Sequence, residues 1–179
     1  RRSEYVGPTI SSELFYKGLQ AITFALIAIL IYIWIRFEWQ FGFGAVVALT
    51  HDVIITLGIL ALFKIDFNLS NIAAILTIAG YSINDTVVIF DRVRENLRRY
   101  KKLELVELFN LSINNTLSRT VITSFTTLIA LFCLYFLGGQ VIKPFAFTMI
   151  IGIIIGTYSS IFIAVPTLLL FNFRPQEDE

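Results

Sequence analysis

The 179-residue chain is 56% hydrophobic and 15% charged, with a mean hydropathy of +0.78, against about 45–50% and about 25% in soluble domains. These figures exclude a water-soluble globular domain and leave an integral membrane protein. A net charge of +1 gives no basic field for nucleic acid, and one His with one Cys excludes a zinc-type set or an internal disulfide.

Residues 1–15 precede the first apolar run. They start at Arg1-Arg2 rather than Met and show no signal peptide. They read as a periplasmic lead-in, the end of a longer N-terminal part. Pro8, Ser11, Ser12 and Glu13 carry helix-start signals near the membrane surface. A spanning helix needs about 20 mostly apolar residues. Five runs approach or exceed that length, over 16–35, 43–63, 69–90, 116–137 and 144–171. The expected fold is therefore all-α, a polytopic membrane bundle over 16–171. Pro144 suits the first turn of the fifth helix, and Pro166 is expected to bend it.

Short links ("RFEWQFG", "KIDFN", "GGQVIK") make successive helices antiparallel neighbours. The exception is the stretch 91–115, which carries Arg92, Arg94, Arg98, Arg99, Lys101 and Lys102. Basic loops stay in the cytoplasm. This loop and the 172–179 tail are thus cytoplasmic, and Trp34 and Trp39 fall at the cytoplasmic interface. The Arg/Lys run is read as a topogenic signal, with specific lipid binding as the lesser alternative. Within it, "LELVELFNL" is either a short interfacial helix or an ordinary connecting helix. Glu95 and Arg99, spaced i,i+4, would help extend the third helix into the cytoplasm.

Ionisable groups inside the spans are the informative exceptions, because a charge in hydrocarbon costs a few kcal/mol even on lenient scales. Helix two carries His51-Asp52, helix three Asn84-Asp85, and helix four Arg119. Tyr81, Ser82 and Asp85 share one face of helix three. Asn115, Arg119, Thr123 and Thr126 form a stripe on helix four, and Asp52 and Thr56 lie one turn apart. These polar sides are expected to face the bundle interior. Asp85 lies roughly 9 Å inside the cytoplasmic boundary at 1.5 Å per residue, and Arg119 enters from the same side, so an Asp85–Arg119 pair is expected. It reads either as a protonatable relay or as a fixed ion pair setting helix register. Asp52 is a second relay group or a hydrogen-bonded structural acid, and His51 a packed histidine. Gly152 and Gly156 form a GxxxG spacing read as helix packing. Cys133 reads as inert. No nucleophile–base–orienter set and no metal-ligand set is evident.

The stretch "GYSINDTVVIFDRVREN" resembles the SecF family of bacterial SecD–SecF protein-export subunits. The likeness continues in "VGPTISSEL", "LTHDVIITLG" and "NNTLSRTVITSFTTL" and covers nearly the whole chain. The resemblance implies half of a pseudo-symmetric transporter of the resistance–nodulation–division type, with this chain holding helices two to six. It implies a multi-pass protein of the bacterial inner membrane, with SecD, the SecYEG channel, a translocating preprotein and membrane lipids as partners. It further implies use of the proton-motive force, with protons as coupling ion and no other cofactor, and proton transport involving Asp85 and Arg119. The rival readings are a proton-coupled small-molecule or lipid transporter of the same superfamily, and a purely structural subunit.

Overall fold

Every apolar run becomes helix, and most of the helices continue past the hydrocarbon-like part of their sequence. The computed structural model describes residues 8–65 and 68–171, with side chains from Tyr16 onward. Helix α1 spans Pro8–Arg36, α2 Trp39–Leu62, α3 Leu69–Arg99, α4 Leu105–Leu137 and α5 Lys143–Ser159. A π turn, Ser160–Ala164, joins α5 to the short α6, Val165–Leu169. Five segments, the fifth running Lys143–Leu169, are long and apolar enough to cross a membrane. The chain is a multi-pass membrane bundle.

The boundaries correct the sequence reading in two places. Helix α1 begins at Pro8, where the helix-start signals lie, while residues 1–7 and the 172–179 tail lie outside the described residues. Between α1 and α2 the predicted seven-residue link shrinks to Phe37-Glu38. The predicted loop over 91–115 is mostly a helical hairpin, with α3 running to Arg99, α4 starting at Leu105 and only 100–104 turning. The cause lies in side-chain spacing. Leu105, Leu108, Phe109 and Ser112 recur at i, i+3, i+4 and i+7 and are buried. The first three join Val93 and Leu97 of α3 in one apolar cluster, and Asn96 Nδ2 donates to Ser112 Oγ at 2.8 Å. From Leu105 on, "LELVELFNL" is therefore the start of α4, not a separate interfacial helix. The ion pair on this part of α3 joins Arg92 to Glu95 at 2.6 Å, where Glu95–Arg99 was expected.

Half of α3's apolar window and 56% of the fifth span's are buried, against 17% for α1 and α4. Helices α3 and α5 thus form the centre, and α1 and α4 flank them. Trp34 and Trp39 are exposed on either side of the α1–α2 turn. Two apolar clusters fill the bundle. One, toward the α1–α2 and α3–α4 turns, includes Phe41, Phe90, Val93 and Leu168, and the other, toward the α4–α5 turn, Ile78, Leu131, Met149 and Ile153. Between them, on every central helix, lies a belt of polar side chains.

Candidate proton-coupling site

The belt is built on α3 and α5, which run parallel and meet every fourth residue. A Cβ added to Gly152 would lie 2.1 Å from Ile78 Cδ1, and one added to Gly156 3.0 Å from Ser82 Cβ. One turn further, Thr86 Oγ1 and Ser160 Oγ are 2.9 Å apart. Small residues at 152, 156 and 160 thus receive Ile78, Ser82 and Thr86 in turn, as ridges of four-residue spacing pack into grooves. Ser160 Oγ also donates to its own helix at Gly156 O (2.8 Å) and reaches Ser82 O at 3.4 Å. The π turn begins at this residue, and Pro166, which has no N–H to offer, follows two residues after it ends.

Asp52 of α2 is fully buried against this ladder. Its Oδ2 accepts a 2.6 Å hydrogen bond from Ser82 Oγ, and His51 Nδ1 lies 3.2 Å from its Oδ1. Gly156 leaves the space: a Cβ there would stand 3.5 Å from Asp52 Oδ2. Both Asp52 oxygens are partnered, which suits a carboxyl that ties α2, α3 and α5 together. His51 is only partly buried, with a side-chain exposure of 30%.

Asp85, one turn beyond Ser82 on α3, differs. It is 5% exposed, and its Oδ2 is buried without a hydrogen-bond partner. The hydroxyls of Thr56 and Thr120 are likewise buried and unpartnered. The α3–α4 register follows from two bonds, Tyr81 Oη to Thr127 Oγ1 at 3.2 Å and Asn96 to Ser112. It puts Asp85 level with Thr123 and Arg119 level with Ile89, one turn and roughly 6 Å nearer the α3–α4 turn. The expected direct ion pair is absent among the described residues, and Arg119 is exposed on the chain's surface.

The polar faces also divide differently from expectation. Asn84 of α3 and Asn115, Arg119 and Thr126 of α4 are exposed, and Thr123 is half-buried. Thr123 Oγ1 bonds back to Arg119 O at 3.0 Å, within its own helix. The face that α4 buries is the adjacent stripe, Ser112, Thr116, Thr120 and Ser124, with Ser124 Oγ 2.7 Å from Thr157 Oγ1 of α5. Sequence reasoning missed this stripe, along with Thr86 and Ser160. The signal was present as polar residues at strict four-residue spacing, but two such stripes run side by side on α4 and spacing alone does not choose between them. No group of three or more His, Cys, Asp or Glu side chains converges as a metal site among the described residues.

Chemically, the belt offers one carboxyl locked by two hydrogen bonds and one with a free oxygen. The free one lies within the third apolar span, level with Thr123 of α4 and one turn from the level of Arg119.

Comparison with known proteins accords with this architecture. The family model described as "Protein export membrane protein SecD/SecF, C-terminal" matches residues 1–174. A protein translocase subunit SecF of Rickettsia rickettsii is 54% identical over 174 residues, 97% of this chain and 56% of the relative. That of Rickettsia akari is 53% identical over the same span. The crystal structure of SecDF, a translocon-associated membrane protein from Thermus thermophilus, superposes with a TM-score of 0.88 at 46% identity, covering 93% of this chain and 23% of that one. A structure of SecDF in a super-membrane-facing form gives 0.83 at 42% identity, covering 93% of this chain and 22% of that one. The chain thus spans about half the length of the curated relatives it matches. With its five spans, its polar belt and these matches along nearly its whole length, the chain belongs to the SecD/SecF C-terminal family of protein-export membrane proteins.

Proposed function

We propose that this chain is the membrane part of an accessory subunit of the Sec translocase in the bacterial inner membrane, and that it uses the proton-motive force to promote protein export. The observation that carries the proposal is the Asp85 carboxyl, nearly buried with one oxygen unpartnered. Such a group takes up a proton without first breaking a hydrogen bond. Protonation cancels its attraction to Arg119, and loss of the proton restores it. Moving one charge across 100 mV is worth about 2.3 kcal/mol, which shifts a two-state packing equilibrium by about fiftyfold. The moving parts are α3 and α4, whose relative position the Asp85–Arg119 field influences. Asp52, Ser82, Thr86 and Ser160 hold the other side of α3 to α2 and α5. The absence of a direct Asp85–Arg119 pair favours this switch over a passive structural staple, which needs the two groups in contact.

The uncovered stripe of Asn115, Arg119 and Thr126 needs a polar neighbour at membrane depth. SecD, as the facing half of the transporter, supplies it. SecYEG and the translocating preprotein are the further partners. Protons are the only coupling species, and the subunit is not an enzyme.

The test is export in cells depleted of their own SecF and complemented with full-length protein carrying Asp85→Asn, with SecD–SecF abundance measured in the same cells. The expected result is failed export at normal complex abundance. Normal export would remove Asp85 from the mechanism. Export lost only in proportion to complex abundance would favour the structural subunit.

A further inference from the structure

At the cytoplasmic ends of α1 and α3 an open cleft of about 600 Å³ is lined by Arg36, Asp91, Arg94, Glu95, Arg98 and Arg99. Its charges are not evenly matched. Arg36 binds Asp91 at 3.1 Å and Glu95 binds Arg92 at 2.6 Å. Arg94 Nε lies 3.6 Å from Glu38 Oε1, and Arg94 Nη1 reaches Arg36 O at 3.5 Å. Those contacts fix the walls and use up the carboxylates. Arg98 and Arg99 are exposed and have no carboxylate partner among the described residues; the Arg99 guanidinium lies only over the Tyr100 ring, 5.5 Å from its centroid. A topogenic role requires that arginines lie on the cytoplasmic side. It does not require that four of them converge on one cleft.

The membrane side of the same face is apolar. A cleft of about 80 Å³ lies between α1, α2 and α3, with Leu30, Ile33, Val46 and Ile83 among its lining residues. Ile33 stands one turn before Arg36 on α1, and Ile83 two turns before Asp91 on α3, so the clefts follow one another along the same helices. That volume is below the roughly 150 Å³ of an engineered cavity that takes up benzene, so it suits a stretch of one flexible chain rather than a ring. Depth fits as well. Arg94 and Arg98 lie roughly 6 and 12 Å past Phe90, where the apolar run ends. Side chains on a helix lean toward its N-terminus, which on α3 is back toward the bilayer. A long arginine at Arg98 therefore returns its guanidinium to phosphate level.

We propose that this face of α1 and α3 binds an anionic phospholipid of the cytoplasmic leaflet, its phosphate on Arg98 and Arg99 and part of one acyl chain against Leu30, Val46 and Ile83. The pairs Arg36–Asp91 and Arg94–Glu38 hold the cleft open, and they leave it with the net positive charge that discriminates against zwitterionic lipid.

Native mass spectrometry of the full-length subunit with its partner, titrated with phosphatidylglycerol and with phosphatidylcholine of the same chains, tests this. Phosphatidylglycerol is expected to bind preferentially. The double variant Arg98→Gln/Arg99→Gln is expected to lose about thirtyfold in its affinity, taking about fivefold per basic side chain at an anionic surface. The variant Lys101→Gln/Lys102→Gln, which removes equal charge from the neighbouring turn, is expected to lose far less. Equal losses in the two variants would mean diffuse attraction to the basic loop and would overturn the site, as would equal binding of the two lipids. Glycerol phosphate, a headgroup without chains, is expected not to compete. Effective competition by it would remove the apolar cleft from the proposal and overturn it in this form. Melting temperature of each variant separates loss of the lipid from loss of the fold; the substituted arginines are exposed, and unchanged melting is expected.

Discussion

Among the described residues, two carboxyls interrupt the apolar runs of the spans, Asp52 and Asp85, and their surroundings differ. Asp52 has a partner on each oxygen, so its removal should be felt mainly in stability. Asp52→Ala leaves the Ser82 hydroxyl without its acceptor in a buried site, a loss of about 1–3 kcal/mol. Asp52→Asn keeps an acceptor for Ser82 and should lose clearly less. Thermal unfolding of the two variants in the same detergent measures the difference, and equal melting temperatures would argue against the hydrogen-bonded structural role. Asp85 has no such partner on Oδ2, so its change to Asn should leave melting nearly unaltered while affecting transport. Presence of the two acids was legible in the sequence, because charged residues stand out in apolar runs. Their division of labour was not, because it depends on which side chain of α3 meets α2. Ser82 meets Asp52; Asp85, one turn on, points elsewhere.

At the scale of elements, the packing of α3 on α5 decides how rigidly the belt is held. Gly152→Ala sets a methyl against Ile78 Cδ1, Cγ1 and Cγ2 at once, at 2.1–2.8 Å. An overpacked core of this kind loses about 1–3 kcal/mol. At Gly156 the nearest atom is Ser82 Cβ at 3.0 Å, so Gly156→Ala should be milder in melting temperature but should disturb the Ser82–Asp52 bond beside it. Ranking the two by thermal unfolding checks the register, and a larger loss at Gly156 would contradict it. The cytoplasmic hairpin gives a second check. Leu108 is 1% exposed, and Leu108→Ala should lose about 2–5 kcal/mol, seen as faster proteolysis at the 100–104 turn. A free loop over 91–115 would show no such sensitivity. GxxxG was readable from the sequence because glycine is conspicuous. The hairpin was obscured because arginines and glutamates interrupt its apolar residues, and a scan for membrane-length runs stops at the first charges. Its i, i+3, i+4, i+7 spacing was nevertheless there to be read.

For the whole molecule, the alternation of five spans puts 100–104 and the α4–α5 turn on opposite sides of the membrane. With Cys133→Ser as background, a cysteine at Lys102 should react with an impermeant thiol reagent only from the cytoplasmic side. One at Val141, which is 84% exposed, should react only from the other; labelling of both from one side would refute the topology. The number of spans was legible, because hydropathy determines it. What sequence periodicity did not reveal is that α4 turns one polar stripe inward and leaves Asn115, Arg119 and Thr126 uncovered. The central claim is that Asp85 carries the coupling proton and Asp52 does not. Its most direct test is proton influx into proteoliposomes holding the full-length complex under an imposed membrane potential and pH gradient. The account predicts influx in the wild type and in Asp52→Asn, and none in Asp85→Asn; wild-type influx through Asp85→Asn would contradict it.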